Sequence, residues 1–306
     1  MGTNLKHVII LLYKMKVLVF GSKGWIGQQF LSNTVHETIQ ATTRPENYED
    51  ALNEIKQVNP DCVISFLGRT YGTAPDGKLI PSIDYLELPG KLYENMRDNF
   101  YAPYNLAKIC EELGKHFVYL GTGCIYTYTN DKKVFTEDDK PNFFGSGYST
   151  VKGYTDQILR QFKNTLQLRI RMPISHLVSC RNLIDKLVAY KNICSIPNSM
   201  TVLDNMWAII DKMIDIRECG VYNLTNPGTA EHDWILEQYK KYINPNQKWN
   251  LISYEEQIKH IKSDRSNNEM DTTKLEQVCK MNNLYLPVIQ VSILACIQKR
   301  RFEQVY

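Results

Sequence analysis

The stretch KVLVFGSKGWIG, Lys16 to Gly27, decides the fold. Its first five residues are apolar enough for a strand buried on both faces, and the turn that follows carries Gly21, Gly24 and Gly27 into the start of a helix. Glycine suits each position. The chain bends sharply, the backbone must come close to a pyrophosphate, and the helix N-terminus offers unpaired N–H groups at the positive end of its dipole. The spacing is GxxGxxG rather than GxGxxG, so the strand–turn–helix setting carries the inference. Gly21, Lys23, Gly24, Trp25, Ile26 and Gly27 are the candidate dinucleotide-binding residues.

Outward from this stretch, short β-rich runs alternate with helical ones: TIQAT (38–42), a helix near 48–57, DCVISF (61–66), a long helix ending about Glu112, KHFVYLG (115–121), a helix after Gly147 and LQLRIR (166–171). Apolar strands joined by helices imply a parallel sheet covered on both faces, a doubly wound α/β fold. Residues 15–172 read as a dinucleotide-binding domain that also holds the chemistry. Residues 173–306, punctuated by Pro173, Pro197, Pro227, Pro245 and Pro287, read mainly as a smaller substrate domain, with about 200–226 (ending in GVYNLTN) returning to the parent sheet. The stretch from Arg69 to Gly90 reads as one long loop, either a lid or binding loop or a surface insertion. HVIILLY (7–13) is too short for a convincing export signal and no small-residue cleavage site follows it. Met15 would serve as a second start, which makes residues 1–14 a dispensable extension.

A chain of 306 residues, 43% apolar, can bury a large core, and 36 basic against 33 acidic residues leave no basic footprint for nucleic acid or membrane. Its eight cysteines form no CxxC pair and no zinc-like spacing with histidine, so neither a disulfide framework nor a metal site is implied, and a reducing cytoplasm is expected. A small-molecule substrate is the expected partner. The oligomeric state, with a homodimer as one option, stays open.

The end of the second strand, ATTRP, has no acid for ribose hydroxyls but holds Arg44. Arg44 and Lys23 either face a 2′-phosphate, which favours NADPH over NADH, or are solvated surface cations. In YSTVK, Tyr148 and Lys152 are four residues apart on one helix face, where an ammonium can lower the pKa of a phenol. Thr122 sits at the C-terminal end of a strand, where open α/β sheets place ligands.

Together the glycine turn, Thr122 and the Tyr148/Lys152 pair resemble the extended short-chain dehydrogenase/reductase superfamily of Rossmann folds. The stretches GWIG, TGCIY, PNFFGSGYS, RIRMPIS, RNLIDK, IPNSMTVLD, YNLTNPG and RSNNEMDTTKL resemble one family within it, from Met15 to about residue 285. That family is the bifunctional UDP-4-keto-6-deoxyglucose 3,5-epimerase/4-reductase of plant UDP-rhamnose synthesis, with relatives in giant DNA viruses. The resemblance implies a UDP-sugar substrate, NADPH with NADH as an alternative, and a cytoplasmic enzyme, in the host cytoplasm if the source is viral.

Site roles follow from the same resemblance. Thr122 and Tyr148 would bind the substrate oxygen, Lys152 would bind the nicotinamide ribose, and Asn99 would help hold that lysine and its water. Dehydratases of the superfamily carry Asp-Glu after the threonine; here Gly123-Cys124 stands instead, as in epimerase/reductases where a thiol exchanges protons beside a ketone. Lys186 would be the second proton-transfer group, which requires burial to lower its pKa. Asn182 and Arg265 would bind the UDP phosphates. Without the resemblance, Cys124 reads as a buried small residue and Lys186 as a solvated charge. Ser65-Phe66-Leu67-Gly68 departs from the family's Asn-Ala-Ala-Gly, and the loop after Arg69 is longer than in plant members. Two other readings remain: a reductase acting on an already epimerised sugar, and a silent dinucleotide sensor.

Overall fold

The computed structural model describes residues 14–305; the HVIILLY run and nearly all of the 1–14 extension lie outside the described residues. Six parallel strands form the central sheet: β1 (Lys16–Phe20), β2 (Glu37–Gln40), β3 (Cys62–Ser65), β4 (His116–Thr122), β5 (Thr165–Ile170) and β6 (Gly220–Asn223). Their spatial order is β2-β1-β3-β4-β5-β6. Successive crossovers go one way from β1 to β2 and the other way from β3 onward, so the switch point of the sheet lies between β1 and β3. Ligands of open α/β sheets settle outside the strand ends at such a point.

The inner strands β1, β3 and β4 are largely apolar because both their faces are covered, whereas the edge strand β2 is half exposed. On one face Val17, Val19, Ile64, Val118 and Leu168 pack against Phe30 of α1 (Trp25–Asn33) and Ile210 and Ile214 of α7 (Trp207–Asp215). On the other, Leu18, Val63, Phe117 and Tyr119 meet Ala51 and Ile55 of α2 (Tyr48–Val58), Leu106 and Cys110 of α4 (Ala102–Glu112), and Leu159 of α5 (Gly147–Leu159). Alternate residues of β1, β3 and β4 therefore serve opposite cores. β6 pairs with β5 in parallel, so the segment after 200 does return to the parent sheet.

A further core lies outside the sheet, where Ile184 and Leu187 of α6 (Leu183–Ala189), Ile235 and Leu236 of α8 (His232–Tyr242), and Ile289, Ile293 and Ile297 of the last helix meet. The 69–90 segment is more ordered than its composition suggests. Gly72–Thr73 pairs antiparallel with Leu79–Ile80, and a 3-10 turn follows at Ile83–Glu87. The Tyr85 ring lies where any side chain at residue 72 would stand, so only glycine fits there. Between α3 (Leu92–Met96) and α4 the helix passes through a π-helical turn, Arg97–Tyr101. Among the described residues no helix is long and apolar enough to cross a membrane, and no cluster of His, Cys, Asp or Glu could hold a metal.

Candidate active site

A cavity of about 620 Å³ opens at the strand ends around the switch point. The glycine turn forms one wall. Gly21 has φ +78°, and a side chain there would meet the Phe66 carbonyl carbon at 2.9 Å; at Gly27 it would meet Ser22 Cα at 2.9 Å. Helix α1 begins at Gly24 with no side-chain cap, and the buried indole N–H of Trp25 has no partner in the fold. Gly21, Lys23, Gly24, Trp25, Ile26 and Gly27 all line the cavity, and such a cradle fits the pyrophosphate of a dinucleotide. Gly21→Ala forces a left-handed alanine against the next loop, so stability should fall by about 2 kcal/mol and dinucleotide affinity at least about tenfold. Thermal melting and a dinucleotide titration check both.

The opposite wall carries Thr122, Cys124, Tyr148, Lys152 and Lys186. β4 delivers Thr122, whose Oγ1 accepts a hydrogen bond of 3.1 Å from the Cys124 backbone N–H and thereby fixes the turn that presents the thiol. Gly123 between them packs against the Met270 thioether, which a side chain such as the aspartate of a dehydratase would have to displace. Helix α5 starts at Ser146, whose hydroxyl accepts from the Ser149 N–H at 3.0 Å. It is anchored to β5 by a buried bidentate pair, Asp156 with Arg169 at 2.7 and 2.8 Å. Tyr148 and Lys152 are thus held one turn apart in register with Thr122.

Electrostatics departs from expectation at the phenol. Burial first, and then the Cys124 thiol, raise the Tyr148 pKa above its ordinary value, while a hydrogen bond with Thr122 and the charge of Arg181 pull it back only in part. The Lys152 ammonium donates instead to the Tyr119 hydroxyl, and burial lowers its pKa to about 7 against the opposing pull of Asp156. Lys152 therefore does not lower the pKa of Tyr148 here; its Nζ sits 4.6 Å from the Tyr119 ring centre. Lys186 meets the sequence requirement: burial, then Arg181, lower its pKa to about 8.

Three assignments do not land as expected. Asn182 is absent from the cavity wall. It is fully buried, its amide donates to the Ser175 and Leu177 carbonyls at 2.7 and 2.9 Å, and its Oδ1 caps α6 through the Ile184 N–H, so no polar atom is left for a phosphate. The Asn99 side chain hydrogen-bonds elsewhere than to Lys152. It brackets the Arg69 backbone, accepting at 2.9 Å and donating at 3.0 Å, and so fixes the loop after β3. Arg44 lies outside the cavity wall, exposed and paired with Glu46 at 2.7 Å.

Arg265 does line the cavity. It is held by Asp84 at 2.7 Å, and although burial opposes it, hydrogen bonds from Arg265 and Ser82 bring the Asp84 carboxyl down to about 2. Two other charged residues were missed. Arg181, directly before Asn182 in RNLIDK, lines the cavity, stacks 3.9 Å from the Tyr71 ring centre and donates to Thr70 Oγ1 at 2.5 Å, leaving its buried Nη1 unpartnered. Glu54 comes from α2 to accept the Thr42 and Thr43 N–H groups at 2.7 and 3.1 Å. It places a carboxylate beyond β2, outside the cavity wall, where it holds the Thr42–Thr43 turn. Burial opposes its ionisation, but the hydrogen bonds from Thr43 and Thr42 prevail and hold its carboxyl below the usual range.

No family model matches the chain. Mimivirus protein L780, from Acanthamoeba polyphaga mimivirus, is 43% identical over 300 residues, 95% of this chain and all of that protein. The crystal structure of the L780 UDP-rhamnose synthase superposes with a TM-score of 0.87 at 42% identity, covering 94% of this chain and 100% of that one. A bifunctional dTDP-4-dehydrorhamnose 3,5-epimerase/reductase of Arabidopsis thaliana is 37% identical over 268 residues, 85% of this chain and 86% of that enzyme. The chain belongs to the nucleotide-sugar 3,5-epimerase/4-reductase family. A Bacillus anthracis dTDP-4-dehydrorhamnose reductase solved in complex with NADP shares the fold, with a TM-score of 0.75 at 15% identity, covering 95% of this chain and 100% of that one. Within this family, the cavity wall that joins the glycine turn to Thr122, Cys124, Tyr148 and Lys186 is the candidate active site.

Proposed function

We propose that the chain converts UDP-4-keto-6-deoxy-D-glucose to UDP-L-rhamnose, by epimerisation at C3 and C5 followed by reduction at C4. The observation that carries this reading is the convergence of a thiol, an amine near neutrality and a Thr/Tyr pair on the cavity that the glycine turn also lines. A 4-ketone acidifies the hydrogens on C3 and C5, so each can leave to one side chain while another returns a proton on the opposite face. Cys124 and Lys186 are that pair. Thr122 and Tyr148 hydrogen-bond the oxygen as it gains charge in the enolate, where preorganised donors in a water-poor site act most strongly. A bound nicotinamide dinucleotide supplies the hydride for C4. Tyr148 then gives its proton to O4, and Lys152 is the group assigned to the ribose of the cofactor.

NADPH is the preferred cofactor, with Lys23 beside the turn supporting it; NADH is the second. Arg265 and Arg181 take the substrate diphosphate, a role their planar forks suit. Residues 15–172 hold the dinucleotide, and 173–306 mainly hold the UDP-sugar, apart from about 200–226. Eight free thiols suit a reducing compartment, the cytoplasm, or the host's for a viral protein.

The test is incubation with UDP-4-keto-6-deoxyglucose in heavy water, with and without NADPH, followed by NMR. Deuterium should enter C3 and C5 without NADPH, and UDP-L-rhamnose should form with it. NADPH oxidation without deuterium entry would leave a plain reductase. Dinucleotide binding without turnover would leave a sensor.

A further inference from the structure

Two buried arginines leave β5 and the residue after it in succession, and they differ in one respect. Arg169 is neutralised by Asp156. Arg171 is 1% exposed, yet among the described residues no carboxylate stands within ion-pair distance of it. Its guanidinium is tied to neutral acceptors: the Ser266 carbonyl at 2.6 Å, Ser266 Oγ at 2.8 Å, Asn198 Oδ1 and, more weakly, the Gly123 carbonyl at 3.5 Å. Its Nε has no partner. Its Nη1 lies 3.7 Å from Cys124 Sγ. A buried cation without a counter-charge is costly, and its cost falls when a neighbouring group ionises to an anion.

We propose that Arg171 is a positioning residue that acts through Cys124: it stabilises the thiolate, which makes Cys124 the base of the epimerisation and leaves Lys186 as the acid. The inference rests on the proposed activity and deepens it by assigning direction to the pair. Arg171 is not part of the cavity wall, so it meets the substrate only through the sulfur. The other titratable groups facing Cys124 are Tyr148 and Lys152: burial favours the neutral Tyr148 phenol, and burial lowers the Lys152 pKa, so its charge adds to that of Arg171 only when it is protonated. In the step itself the C–H bond beside the ketone breaks, its proton passes to sulfur, and the electron pair moves into the carbonyl. The Lys186 ammonium then protonates that carbon from the other face. Both groups reset by proton exchange with water.

The experiment titrates Cys124 by alkylation with iodoacetamide across pH, read at the Cys124 peptide by mass spectrometry, in wild type, Arg171→Lys and Arg171→Met. In wild type Cys124 should ionise below the ordinary thiol value of about 8.5. Arg171→Met should raise that midpoint by about one unit or more, with Arg171→Lys in between. A wild-type midpoint at or above about 8.5 overturns the proposal without any variant. So does an unchanged midpoint in a folded Arg171→Met protein that still binds NADPH. The direction is read separately with Lys186→Met in heavy water: deuterium should enter the unreacted substrate without inversion, and loss of all exchange would make Lys186 the base instead. The alkylation needs no turnover. Absence of activity in wild type sinks the function, and an unshifted thiol in an active enzyme sinks only the role of Arg171.

Discussion

Cys124→Ala is expected to separate the two activities: deuterium entry at C3 and C5 falls by about 10²–10⁴, the range for loss of a positioned acid or base, while reduction of UDP-4-keto-rhamnose keeps its rate within about threefold. The separation follows from where the thiol stands. Cys124 reaches the cavity from the turn after β4, and neither the glycine turn nor the Thr122 hydroxyl depends on its sulfur, because Thr122 is engaged with the Cys124 backbone N–H, which alanine retains. Tyr148 loses a neighbour that helps keep its proton on, but burial is the larger cause and persists. NMR in heavy water measures the first quantity, and NADPH oxidation with the pre-epimerised substrate measures the second. Equal loss in both would mean that the thiol holds up the whole site, and unchanged deuterium entry would remove it from the chemistry.

The sheet was legible because its signals are local. A buried strand must be apolar on both faces, and Gly21 must be glycine where φ is positive and the next loop passes at 2.9 Å, so KVLVFGSKGWIG carries its reading within twelve letters. Thr122 and Tyr148 were read from their positions and spacing, Cys124 and Lys186 only through the family resemblance, and the fold gathers all four on one cavity. What sequence could not give is which polar side chains the fold uses up. Asn182 and Arg181 are adjacent, and both look suited to a phosphate. Asn182 is consumed by the cap of α6, a use to which asparagine is well fitted, while Arg181 keeps a free donor. The same applies to Glu54, whose carboxylate reaches the end of β2 from α2 and is taken up by Thr42 and Thr43. Arg171 was hidden in RIRMPIS for a related reason: alternation places both arginines in the interior, but only tertiary structure shows that one has a carboxylate and the other a thiol.

Tyr148→Phe is the converse of the cysteine change and should impair both reactions. In the epimerisation the phenol stabilises the enolate oxygen, and removing one such donor costs about 10²–10³. In the reduction it must also deliver a proton to O4, so the loss should reach about 10²–10⁴. Stability should change little, because the ring keeps its packing among Tyr85, Leu86 and Cys124. The raised pKa of the phenol adds a pH signature. A group that stays protonated well above pH 10 remains a competent acid throughout the working range, so wild-type reduction should show no decline attributable to Tyr148 below about pH 10. A descending limb near pH 7 that disappears in Tyr148→Phe would show the opposite: that cofactor and substrate return Lys152 from Tyr119 to Tyr148 and lower the phenol pKa. Measuring the reduction rate of both proteins from pH 6 to 10, with the pre-epimerised substrate, decides between a phenol kept neutral by burial and one activated by its neighbouring ammonium.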